Sequence, residues 1–252
     1  MRNFLVKTIG FNATLIHGDT LVMDRWLWLK DRLPISNGTE TFLDVGCGNG
    51  AFCLGAAKRG YVATGLSWEE NNQKVARERA AILKIDNAEF LTCDVRKLGD
   101  QENLINKFDI VINFENIEHI LDDKQLMIDM SNCLKPGGRL LLTAPYYHYI
   151  PMTKDDIWLG NKVEDGGHVI RGYSRQMLCE LCDKSGLKVE NISFCSGFFS
   201  QKTTGFLRKV SKINHFVAWI LILPLRPFIP FLDKVVPSRC YSICMEAYKP
   251  RY

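Results

Sequence analysis

The sequence predicts an α/β protein built on a doubly wound, mostly parallel sheet of seven strands. Three observations carry this. Short apolar runs alternate with helical patterns along most of the chain; a glycine-rich turn joins the first run to the helix after it; and a loosely alternating run near the end supplies a last, antiparallel strand. The length of 252 residues and 46% hydrophobic content suffice for one full core, so a single domain is expected.

The first element is a helix over 19–33, with Asp19 as N-cap and Pro34 as its stop. Candidate strands follow at 41–45, 61–66, 88–93, 108–114, 138–144, 187–193 and 241–248. Helical patterns near 51–59, 69–84, 122–134 and 174–185 lie between them. Strands joined through helices pair in parallel by right-handed crossovers, and ligands of such sheets bind at the carboxyl ends of the strands. The expected organisation is a helical segment at 1–40, a ligand-binding core at 41–196, an insertion at 197–238 and the last strand at 239–252. The insertion is longer than a simple strand connection needs.

The turn reads Leu43-Asp-Val-Gly-Cys-Gly-Asn-Gly50. Gly46, Gly48 and Gly50 let the chain turn tightly and let a ligand approach without Cβ atoms in the way. A nucleotide-type ligand is implied, although dinucleotide enzymes also use such turns. The spacing here is GxGxG rather than the GxGxxG of nicotinamide cofactors.

The turn closely resembles motif I of the class I methyltransferases. The resemblance runs from about residue 40 to 193 and includes Leu91-Thr-Cys-Asp-Val95, Phe108 to Phe114, and Leu134-Lys-Pro-Gly-Gly to Leu142 in the family's order. It implies a Rossmann-like sheet and S-adenosylmethionine as cofactor, held by Asp44, Gly46, Cys47, Gly48, Gly50, Trp68, Asp94, Val95 and Asn113. Asp94 would accept from the adenine amine, or else simply cap a helix. The family's acid for the ribose hydroxyls is replaced by Ser67, which can make one such bond but lacks a carboxylate. Glu69 or Glu70 is a candidate to compensate, and methyltransferases similar to cyclopropane-fatty-acid synthases also lack the acid.

Methyl transfer requires a positioned nucleophile and, for a hydroxyl, removal of its proton. His119, His148 and His168 fall on the expected active face. Glu115, Glu118 and His119 also have the spacing of a metal cluster on one helical turn, which His168 could complete. This pattern is similar to that of ubiquinone-biosynthesis O-methyltransferases and small-RNA 2′-O-methyltransferases, and so implies Mg²⁺ or a similar ion.

The acceptor is read partly by exclusion. The fourth strand leads into Asn113-Phe-Glu-Asn, without the Pro-Pro element of amino-methylases or the Pro-Cys of cytosine enzymes, so DNA is not expected. The leading expectation is O-methylation of a small hydroxylated metabolite, glycan or lipid-linked precursor. N- or C-methylation, including cyclopropane-type chemistry, and a non-catalytic cofactor-binding subunit are the alternatives. Segment 197–238 combines basic and apolar residues, as an interfacial segment, a lid or a homodimer contact would. The scattered cysteines, nine in all, read as reduced thiols, Cys179 and Cys182 included. With no export signal read at the start and no clean run long enough to span a bilayer, a cytoplasmic protein, peripheral at a membrane if anything, is expected.

Overall fold

Strands that are apolar on both faces need cover on both faces, and the chain provides it in alternation. The computed structural model describes residues 2–16, 20–153, 158, 160, 162–236 and 239–251. It opens with three helices, α1 (Arg2–Ile9), α2 (Asn12–Ile16) and α3 (Thr20–Lys30). The expected cap Asp19 lies outside the described residues. Then follow β1 (Thr41–Val45), α4 (Ala51–Ala57), β2 (Val62–Ser67), α5 (Glu70–Leu83), β3 (Ala88–Thr92), β4 (Phe108–Phe114), α6 (Asp123–Cys133) and β5 (Leu134–Pro145). The chain ends with α7 (Arg175–Lys184), β6 (Lys188–Cys195), α8 (Phe198–Ser211), α9 (His215–Ile222), α10 (Ile229–Val235) and β7 (Ser242–Tyr248).

These strands form one sheet in the order β3-β2-β1-β4-β5-β7-β6. The pairs from β3 to β5 are parallel, while β7 runs antiparallel to both β5 and β6. Alternate residues serve opposite layers. Phe42, Ile110, Ile112 and Leu141 join the cluster containing α3, α4 and α5 side chains, whereas Leu43, Val111, Leu140 and Leu142 join the cluster with α6 and α7. Cys182 of the expected CxxC sits fully buried in that second layer, and all nine cysteines are free thiols.

The N-terminal helices are fastened by close approach. A Cβ on Gly55 of α4 would lie 2.3 Å from the Trp26 ring, so α3 and α4 touch almost backbone to ring. The Trp28 indole N–H donates to Ser193 Oγ at 3.0 Å, which ties α3 to β6. The parallel crossovers leave the carboxyl ends of β1, β2, β3 and β4 along one edge, where the turn after β1 meets the chain leaving β4.

Gly50 stands in the left-handed region at φ 77°, and a Cβ there would lie 2.7 Å from the Phe90 ring and 2.9 Å from Ala76. Gly50→Ala therefore combines left-handed strain with overpacking, a cost of about 2–4 kcal/mol. Calorimetry should show the melting temperature falling by roughly 2–4 °C for each kcal/mol in a chain of this size. An unchanged melting temperature would contradict this packing.

Candidate functional site

A cavity of about 350 Å³ opens where the strands end. Its wall includes Gly46 and Gly48 from the turn, Ser67 and Trp68 from the end of β2, and Asp94 and Val95 after β3. These are six of the ten residues the sequence singled out for the cofactor. Gly48 has φ 49° and nothing within 4 Å of an ideal Cβ, so the backbone faces open space there. The Arg79 guanidinium of α5, wholly buried, donates to the Asn49 carbonyl at 3.0 Å and props the turn from behind.

The other four lie behind the lining. Cys47 is buried with its thiol toward Gln73, and Gly50 packs on Phe90 and Ala76. Asn113 is fully buried: its amide N–H donates to the Val45 carbonyl at 2.9 Å, and its oxygen accepts from the Ile117 N–H at 3.1 Å. It braces the site rather than facing it, and Glu115 and Asn116 reach the cavity in its place. Asp44 is 1% exposed, and burial pushes its carboxyl up to about 7, offset only in part by a backbone hydrogen bond from Cys53.

Ser67 occupies the place expected of the ribose acid. The acids offered as substitutes are engaged elsewhere: Glu69 accepts from the Asn72 amide at 2.7 Å, and Glu70 pairs with Arg77 and Thr92. Asn72, in the first turn of α5, lines the cavity instead. Asp94 serves as a cap, accepting from the Arg96 N–H at 3.1 Å, and also lines the cavity. The Arg96 guanidinium holds Asp94 below the usual carboxylate range and reaches Glu164 at 2.9 Å. Glu164 in turn accepts from the Leu121 N–H at 2.7 Å, so residues 164–166 are drawn over the cavity mouth. No local motif announces Arg96 or Glu164, because their roles arise from contacts 68 residues apart.

The histidines separate. His148 is exposed beside Tyr146 and Tyr147 and does not line the cavity. His119 does line it, at the end of a short 3-10 turn, Ile117–His119. His168 lies against it, with ring centroids 4.8 Å apart. Glu118 is 1% exposed and sends Oε1 to 3.8 Å from His119 Nε2 and 3.9 Å from His168 Nε2. The three ligand atoms of Glu118, His119 and His168 lie within 4.8 Å of one another.

Glu115, expected to belong with Glu118 and His119, stands apart from this group. Its φ of 48° breaks the helical turn that the spacing assumed. The carboxylate turns back to the Arg25 guanidinium at 3.0 Å and accepts from Ser242 Oγ at 2.9 Å. Burial, with Glu115 next, raises the Glu118 carboxyl well above its ordinary value.

Residues 36–186 match a family model described as a methyltransferase domain. The chain belongs to that methyltransferase family. Together with the sheet order, this makes it a class I enzyme that uses S-adenosylmethionine. A ubiquinone biosynthesis O-methyltransferase of Brucella ovis is 34% identical over 103 residues, 41% of this chain and 40% of the relative. One of Idiomarina loihiensis is 34% identical over 102 residues, 40% of this chain and 41% of its own length. The chain thus spans about two fifths of the length of these curated relatives.

Among solved structures, the phosphoethanolamine N-methyltransferase 2 of Haemonchus contortus with S-adenosyl-L-methionine has a TM-score of 0.65 at 21% identity, over 99% of this chain and 60% of its own. The geranyl diphosphate C-methyltransferase of Streptomyces coelicolor, with Mg²⁺, geranyl diphosphate and S-adenosyl-L-homocysteine, has a TM-score of 0.62 at 19% identity, over 89% and 76%. At these identities the likeness is one of fold.

The glycine-rich turn thus starts beside a carboxyl that resists ionisation. With its folded-state value raised to about 7 from 3.8, Asp44 costs the fold nothing below the lower value and progressively more up to the higher one. Asp44→Asn should therefore match the parent's melting temperature near pH 3.8 and exceed it by a few degrees above pH 7, measured without added cofactor. Equal or lower stability above pH 7 would contradict the assignment.

Proposed function

We propose that this methyltransferase transfers the methyl group of S-adenosylmethionine to the oxygen of a small hydroxylated metabolite, glycan or lipid-linked precursor, aided by a divalent cation such as Mg²⁺. The observation that carries this reading is the convergence of Glu118 and His168 on His119, which lines the cavity.

The cofactor fits the residues present. Gly48 offers unobstructed backbone, Ser67 and Asn72 offer polar groups for a ribose, and Asp94 and Val95 offer a carboxylate and an apolar surface for an adenine. When bound, the cofactor would supply an electrophilic methyl on sulfur. The chain's own work is to hold the acceptor in line and keep its proton manageable.

The cation fits as well. Among the described residues Glu118 Oε2 meets no hydrogen-bond partner, and a buried carboxylate so placed is stabilised by a cation. His119 Nδ1 lies 3.0 Å from the Gly167 carbonyl; donating there leaves Nε2 with its lone pair turned toward Glu118, the arrangement of a metal-ligating histidine with its supporting bond. A bound ion would supply Lewis-acid polarisation of the acceptor hydroxyl. The same geometry supports a second reading, in which His119 Nε2 itself takes the proton as general base.

Three measurements test the proposal. His119→Ala should lower kcat/KM by about 10²–10⁴-fold under either reading, with cofactor affinity by calorimetry little changed. Chelation should abolish turnover, with Mg²⁺ restoring it, if the cation is used, and leave it intact if His119 acts alone. Product analysis should show a new methoxyl signal rather than a methylamine or a ring. Full turnover by His119→Ala with the acceptor that the parent methylates would exclude both roles.

A further inference from the structure

Helix α9 is apolar on both of its faces. Ala218 and Ile222 pack with Leu207 of α8, while Val217, Ile220 and Leu221 stand exposed. A helix without a polar face belongs in a core or in lipid. The exposure continues through Leu225, Phe228, Phe231 and Val235, and at the head of the stretch Ile213 is 89% exposed. Singly scattered apolar residues are ordinary on a surface, but a continuous run of this kind marks an interaction face.

The charges of the insertion are sorted by the fold. Arg226, which interrupts the apolar run in the sequence, is folded inward: it is 4% exposed, donates to the Leu15 carbonyl at 3.1 Å and lies over the Trp219 ring. Asp233, the single acid between 197 and 238, accepts from the N–H groups of Phe199 and Ser200 at 2.6 and 3.1 Å and so caps α8. The exposed charges are then all positive: Lys202, Lys209, Lys212 and Lys234. Lys202, Phe206 and Lys209 share one face of α8. With Arg239 and Ile150–Met152, they line a second cavity of about 310 Å³.

We propose that α8 to α10 dock on an anionic lipid bilayer. The exposed apolar side chains of 213–236 enter the headgroup boundary, the lysines of α8 contact lipid phosphates, and the second cavity receives a headgroup. Among the described residues no helix is long and apolar enough to cross a membrane, so the contact is interfacial. The charge pattern selects lipid over a second copy of the chain, because a two-fold dimer through this patch would set cation against cation. The proposal deepens the lipid-linked acceptor reading and rests on it only for its biological purpose, since docking requires no methyl transfer.

The test is co-sedimentation of the whole protein with vesicles of phosphatidylcholine alone and of phosphatidylcholine with phosphatidylglycerol. Binding is expected to the anionic vesicles at low salt, to weaken as salt rises, and to be far weaker to neutral ones. Lys202→Gln with Lys209→Gln should weaken it about 25-fold, at roughly fivefold per lost cation, and Phe228→Ser with Phe231→Ser should also release the protein. Both variants change exposed side chains, so circular dichroism and cofactor affinity should match the parent. Failure of the folded parent to bind anionic vesicles at low salt overturns the proposal, as does equal binding to neutral vesicles. So does a dimer, seen by light scattering, that the same substitutions dissolve. Loss of methyl transfer with vesicle binding intact would instead count against the proposed chemistry.

Discussion

The side-chain amide of Asn113 joins three pieces of chain that the site needs in fixed relation. It bonds the end of β1 at Val45 and the first N–H of the turn that carries Glu118 and His119. Gly46 meets the same corner from the other side, since a Cβ there would lie 2.6 Å from the Asn116 side chain. The glycine-rich turn and the histidine-bearing turn are therefore positioned against one another by backbone hydrogen bonds from one fully buried group. Unpaired, those buried backbone groups would be costly, so the bracket has little freedom to shift.

Around this bracket the enzyme keeps carboxyls in places where water would ordinarily be required. Asp44 and Glu118 are both almost wholly buried and both resist ionisation. Glu115, in contrast, is compensated by Arg25 from the N-terminal helices and by Ser242 from the last strand. The two ends of the chain thus meet at the cavity wall, although neither carries a recognisable motif. A site assembled in this way depends on the whole sheet being complete.

Legibility followed the range of the interactions. Strands such as 41–45 and 108–114 were readable to the residue because parallel strands covered on both faces are continuous apolar runs bounded by turns. The glycine-rich turn and its cofactor were readable because close approach constrains residue type directly. The short helices α1 and α2 span only eight and five residues, and α10 lies among prolines, so periodicity had little length to act on there. The sequence names Glu118, His119 and His168 of the metal-type cluster and adds Glu115 to them. Glu118 and His119 are neighbours in sequence, but Glu115 leaves through a left-handed residue and His168 enters from far along the chain. Asn113 is read from the sequence as a cofactor residue while its side chain turns to the backbone, since spacing tells which residue ends a strand and not which way its side chain turns.

The connection between β5 and α7 touches both cavities. Near its start, Ile150–Met152 line the second, and near its end, Glu164–Gly166 border the first. Its described residues contribute no strand to the sheet, so substitutions in the part before Gly167 leave the glycine-rich turn and the Asn113 bracket in place. Descendants of this chain could therefore reshape the mouths of both cavities by rewriting the loop on either side of Gly167 and His168, with the frame built on the sheet inherited unchanged.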